Sequence, residues 1–135
     1  MLIPLVRPPD VGFAEFRFDL APPPHPHAVA AVRHLLRDAL AVIGLNSDAP
    51  CSLLTELLTN AIRHGGAPSV ILDLYDGQLF IVVTDPSTRR PTVQVENGQE
   101  ESGRGMALVQ ALADEWGVEE IGQRGKAVWA LIAAA

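Results

Sequence analysis

The chain has 135 residues, 48% of them apolar and 19% charged, with a net charge of -6. That is one domain's worth of sequence with enough apolar side chains for a continuous core. The acidic balance argues against direct nucleic-acid binding, which draws on a basic patch, and against docking on an anionic membrane surface. No apolar run approaches the ~20 residues of a spanning helix. Residues Met1 to Arg7 lack the charged start and apolar length of a secretory signal. Cys51, the one cysteine, has no partner for an internal disulfide. These features point to a reducing, cytoplasmic setting. Nine of the ten basic residues are arginine, Lys126 being the exception, a usage that goes with a GC-rich genome.

Residues 1–12 contain Pro4, Pro8 and Pro9, show no periodicity and read as a flexible N-terminal arm. The domain proper is expected over residues 13–135. Phe16, Phe18 and Leu20 alternate with Arg17 and Asp19 across residues 13–20, the pattern of a half-buried strand. Pro22-Pro23-Pro24-His25-Pro26 reads as a stiff connector without regular structure. Its His25 and His27 lack the carboxylate or thiol that would complete a metal site. Over residues 28–43, Val29, Val32, Leu35, Leu36, Ala39, Leu40 and Ile43 fall at helical spacing, and Gly44 is a natural stop. Asp48 reads as the N-cap of a second helix that runs to His64 and ends at Gly65-Gly66.

Residues 70–75 and 78–84 form two apolar runs around Asp76-Gly77, a strong hairpin signal. Residues 86–102 are polar, contain Pro86, Pro91 and Gly98, and read as a long loop of the kind that is usually functional. Residues 88–101 are expected to be its least ordered part. Gly103-Arg104-Gly105 is expected to turn into a third helix from Met106 to Trp116. Residues 117–121 and 127–132 close the chain as a second hairpin about Gly122-Gln123-Arg124-Gly125. The order β-α-α-β-β-α-β-β predicts an α/β (α+β) two-layer sandwich. Its sheet is expected to be mixed, mainly antiparallel and about five-stranded, with three helices on one face.

Three groups of residues could carry chemistry. On the second helix, Ser52, Glu56, Asn60 and then Arg63 or His64 form a polar stripe at spacings of four, then three or four. The stripe reads either as a solvated face or as a phosphate–metal site. In the second case the Asn60 amide oxygen is a hard ligand for Mg²⁺, Glu56 accepts a proton or orients a water, and the cation faces a phosphate. Asp85, at the end of an apolar strand, is either a turn former before Pro86 or an acceptor for an exocyclic amine such as that of adenine. Ser102-Gly103-Arg104-Gly105-Met106 is either an ordinary helix start or a place where backbone N–H groups and a helix dipole meet an anion. A single nucleotide could touch all three groups.

The segment Glu56-Leu57-Leu58-Thr59-Asn60-Ala61-Ile62-Arg63-His64-Gly65 resembles the N-box of the GHKL superfamily (gyrase, Hsp90, histidine kinase, MutL). Within that superfamily it is most similar to bacterial anti-sigma factor serine/threonine kinases. Residues 101–109 resemble that group's second glycine box, and residues 125–130 resemble its closing strand motif. The likeness spans roughly residues 13–132. It implies a Bergerat fold that binds ATP with Mg²⁺. Carried over by position, Asn60 would ligate Mg²⁺, Glu56 would be the catalytic base, Arg63 would lie near the phosphates and Asp85 would accept from the adenine amine. Gly103 and Gly105 would form the phosphate-facing turn, Ser102, Arg104 and Met106 would join them in binding ATP, and residues 86–102 would be the ATP lid.

The resemblance further implies a homodimeric regulator that sequesters a sigma factor and phosphorylates an anti-sigma-factor antagonist protein. The rival is a module of the same fold that switches protein partners without phosphotransfer. A third possibility is a helper ATPase. The chain is too short to carry the dimerisation helices of a complete histidine kinase as well. Two departures from the pattern stand out. Asp85-Pro86-Ser87-Thr88-Arg89 lacks the glycines of the first glycine box, and Ala127 stands where the closing motif offers a threonine. Loss of that hydroxyl predicts an affinity cost on the order of 1 kcal/mol.

Overall fold

The computed structural model describes residues 14–86 and 101–134, with side chains over residues 15–86, 106–123 and 125–134. The expected N-terminal arm, and the loop expectation for residues 87–100, lie outside the described residues. Five strands and three helices follow in the order β1 (Ala14–Leu20), α1 (Pro26–Val42), α2 (Asp48–His64), β2 (Ser69–Tyr75), β3 (Gln78–Asp85), α3 (Glu101–Leu112), β4 (Glu115–Glu120) and β5 (Lys126–Ala133), with a short 3-10 turn at Gly122–Arg124. The sheet order is β1-β2-β3-β5-β4. Every pairing is antiparallel, so the expected mixed sheet is antiparallel throughout its described strands.

The period of two along each strand sorts side chains onto two faces. Val70, Leu72 and Leu74 of β2, Leu79, Ile81 and Val83 of β3, and Val128, Ala130 and Ile132 of β5 join one buried cluster. That cluster also holds Leu36 and Leu40 of α1, Leu53, Leu54, Leu57 and Leu58 of α2, and Met106 and Val109 of α3. The three helices therefore share one layer over one face of the sheet. The opposite face carries a smaller cluster of Val82, Ala127 and Trp129. It also carries Arg17 on β1, which meets Asp73 across the ladder at 3.0 Å. On β4, Gly117 lies opposite Trp129, and a Cβ there would sit 2.9 Å from the indole.

Several element ends differ from the sequence expectation. Helix α1 begins at Pro26 rather than Ala28, because proline at the first helical position gives up an N–H that has no intrahelical partner. The His25 side chain caps it by accepting from the His27 N–H. Asp48 is the first residue of α2 rather than its cap, and Ser47 takes the cap position. The Asp48 carboxylate still lies where it favours the helix dipole. Helix α3 already includes Glu101 and stops at Leu112, so Ser102 to Gly105 are helical and not a turn before the helix. Trp116 belongs to β4, where its pairing with Ala130 overrides local helical spacing. The Asp76-Gly77 hairpin is as expected, with φ of 52° and 72°, the positive pair a two-residue turn requires. Among the described residues no helix is long and apolar enough to cross a membrane.

Candidate functional site

Helix α2 packs against both other helices and against β3 and β5, which sets its polar stripe against the end of the sheet. Asn60, His64, Asp85, Met106 and Lys126 line one cavity with Leu57, Ala61, Val83 and Val128. Asn60 and Asp85 are far apart in sequence, yet they open into the same space. Asn60 is 5% exposed, and neither its amide nitrogen nor its amide oxygen has a hydrogen-bond partner among the described residues. A buried amide left so is costly, on the order of 1–3 kcal/mol, and marks a place where a ligand can complete the bonding.

Asp85 ends β3 on the helix-facing side, where the alternation that buries Ile81 and Val83 carries it. Its cross-strand partner is Lys126. The Lys126 Nζ donates to Asp85 Oδ1 at 3.1 Å, with the two side chains 1% and 2% exposed. His64 Nδ1 lies 3.4 Å from the same Nζ. The cavity that remains measures ≈ 10 Å³, room for about one water molecule and far below the ~300–1,000 Å³ of an ordinary ligand pocket. Gly125 sets this arrangement. Its φ is 112°, and a Cβ there would collide with the Asp85 carbonyl oxygen and the Pro86 backbone. The close backbone approach beside Asp85 comes from Gly125 on β5's side, whereas residues 86–89 contain no glycine.

The other expected site residues are placed as follows. Glu56 is half-buried one turn before Asn60 on α2, outside the lining of this cavity. Arg63 is exposed on the last turn of α2. Met106 is buried in the cavity wall. Ser102, Gly103, Arg104 and Gly105 lie in the first turns of α3. Among the described residues no group of three or more His, Cys, Asp or Glu side chains could hold a metal. A metal ligated at Asn60 would therefore draw its other ligands from elsewhere, as Mg²⁺ does when it keeps waters and phosphates.

The threonine position of the closing motif needs correction. Ala127 pairs with Thr84 and joins Val82 and Trp129 on the opposite face of the sheet, so a hydroxyl there would point away from the cavity. Lys126, one residue earlier, is the closing-strand side chain that reaches Asp85. The signal was present in the alternation Lys126, Val128, Ala130, Ile132, since the last three are apolar core positions.

Comparison with known proteins agrees with this geometry. The histidine kinase-like ATPase domain family matches residues 23–132. An uncharacterized protein of Streptomyces coelicolor is 40% identical over 77 residues, covering 53% of this chain and 73% of the relative. The five-stranded antiparallel sheet under three helices, the N-box on α2 and the family match together make this chain a member of the histidine kinase-like ATPase domain family.

Proposed function

We propose that this chain is a cytoplasmic, homodimeric anti-sigma factor-type regulator that binds ATP with Mg²⁺, sequesters a sigma factor and phosphorylates a serine or threonine of an anti-sigma-factor antagonist. The observation that carries the reading is Asn60, a buried amide without a partner among the described residues, opening into the cavity that Asp85 shares. Its oxygen fits a hard cation such as Mg²⁺. ATP, when bound, supplies the phosphoryl group. Glu56, one helical turn away, holds the carboxylate that takes the proton from the substrate hydroxyl. The Glu56 carboxylate and the Asn60 amide lie on one helix face, so both are positioned by the packing of Leu53, Leu54, Leu57 and Leu58 beneath them.

The base end of the cavity does not fit adenine as it stands, because Lys126 holds Asp85 and the free volume is ≈ 10 Å³. That observation favours a second reading, a partner-switching module without phosphotransfer.

Calorimetric titration with ATP, with and without Mg²⁺, and transfer of labelled phosphate to an antagonist protein separate the two. In the kinase reading Asn60→Ala weakens Mg²⁺-dependent ATP binding. Glu56→Ala leaves ATP affinity nearly unchanged and lowers turnover by about 10²–10⁴-fold, the usual worth of a general base, while the sigma factor complex survives. A wild-type protein that binds its partner but transfers no phosphate, with no output altered by Glu56→Ala, leaves the module reading.

A further inference from the structure

The closed base end of the cavity carries an inference that rests on the nucleotide reading and deepens it. We propose that Lys126 is an internal occupant of the base pocket: its ammonium sits on Asp85 where the exocyclic amine of a purine would donate, so a nucleotide enters only as the lysine side chain leaves. The register places Asp85 and Lys126 directly opposite one another on the helix-facing side. The bond between them is 3.1 Å and both side chains are buried. The Lys126 ammonium brings a full positive charge to the Asp85 carboxylate, whereas the amine of a base donates to the same oxygen without a charge of its own, so the base has to displace an ion pair to make its bond. His64 Nδ1 at 3.4 Å gives the ammonium a second neighbour.

The lysine backbone cannot yield, because Gly125 beside it packs against the Asp85 carbonyl with no room for a Cβ. The movable part is the side chain, four flexible carbons long. The apparent affinity for a nucleotide is then the intrinsic affinity reduced by the fraction of molecules in which Lys126 has left. Lys126 thereby sets how much ATP the site takes. Replacement by threonine empties the volume and leaves a hydroxyl donor for Asp85.

Lys126 is the sole lysine of the chain, so its ε-amine can be followed in the unmodified protein. The experiment labels the native wild type with an amine-reactive ester across an ATP–Mg²⁺ titration, locates the label by peptide mass, and measures ATP affinity of wild type and Lys126→Thr by calorimetry. Lys126 should be protected without nucleotide and label about tenfold faster or more at saturating ATP, and Lys126→Thr should bind ATP about tenfold more tightly or better. ATP binding to wild type with Lys126 still protected, or equal affinities in the two proteins, overturns the internal occupant and leaves the nucleotide reading intact. Absence of ATP binding in both proteins overturns both. Where Lys126→Thr fails to fold, wild-type labelling decides alone, and a rate that ATP at millimolar concentration does not change overturns the proposal.

Discussion

Gly125→Ala tests the backbone contact that presents Asp85 and Lys126 to each other. Gly125 has φ 112° and ψ -141°, a region that residues with a Cβ enter at a cost of about 1–3 kcal/mol. The added methyl also collides with the Asp85 carbonyl oxygen and lies within reach of the Pro86 backbone. Backbone atoms cannot rotate aside, so relief requires a shift of the β3–β5 ladder, an overpacking cost of about 1–3 kcal/mol. The sum is about 2–6 kcal/mol. Gly44→Ala serves as the control, since its φ is 77° but nothing lies within 4 Å of the new Cβ. It should lose only the conformational part, about 1–2 kcal/mol. Urea unfolding followed by far-ultraviolet circular dichroism gives both losses, provided the slopes agree. A Gly125→Ala loss no larger than that of Gly44→Ala would refute the claim that this contact holds the end of the sheet.

Two further outcomes follow from single side chains. Asn60→Leu removes a buried amide that has no partner among the described residues, so thermal denaturation should show unchanged or higher stability while calorimetry shows loss of Mg²⁺-dependent ATP binding. A loss above about 1 kcal/mol would show that the amide is bonded in the folded protein. Burial pushes the Cys51 thiol above its ordinary value of 9.0, a Ser47 hydrogen bond opposing the shift. Native alkylation just below that value should therefore be slow. The folded state holds the thiol proton more tightly, so its contribution to stability is present below the unfolded value and is lost as pH rises through the folded one. Cys51→Ala should flatten that alkaline decline in the urea midpoint.

The strands and helices were legible wherever one face is buried and the other is not. Phe16, Phe18 and Leu20, or Leu53, Leu54, Leu57 and Leu58, announce their element by spacing alone, and Asp76-Gly77 announces its turn. Element ends were less legible because they depend on partners distant in sequence. Trp116 keeps helical spacing with Leu112, yet it is a strand residue because Ala130 lies across from it. Pro26 looked like a breaker because only the His25 cap shows that a helix starts there. In the site, Asn60, Asp85, Met106 and, of the two alternatives Arg63 and His64, His64 are legible in the sequence and share the cavity. Lys126 is less legible than Ala127 as a site residue, since which of two adjacent strand residues faces the helices is decided by register with β3 and not by either residue's identity.

Leu57, Ala61, Val83, Met106 and Val128 wall the cavity and are also members of the main core. Recognition and foldedness therefore draw on the same contacts in this domain. A truncation such as Leu57→Ala would enlarge the cavity and loosen the core in one step, so its effects on the two would not be separable. Sequence drift here is pleiotropic: a substitution that improves ligand fit at these five positions also resets the melting temperature. The polar members, Asn60, His64, Asp85 and Lys126, stand outside that apolar cluster, so they bear on the fold through burial and polar pairing rather than through apolar packing.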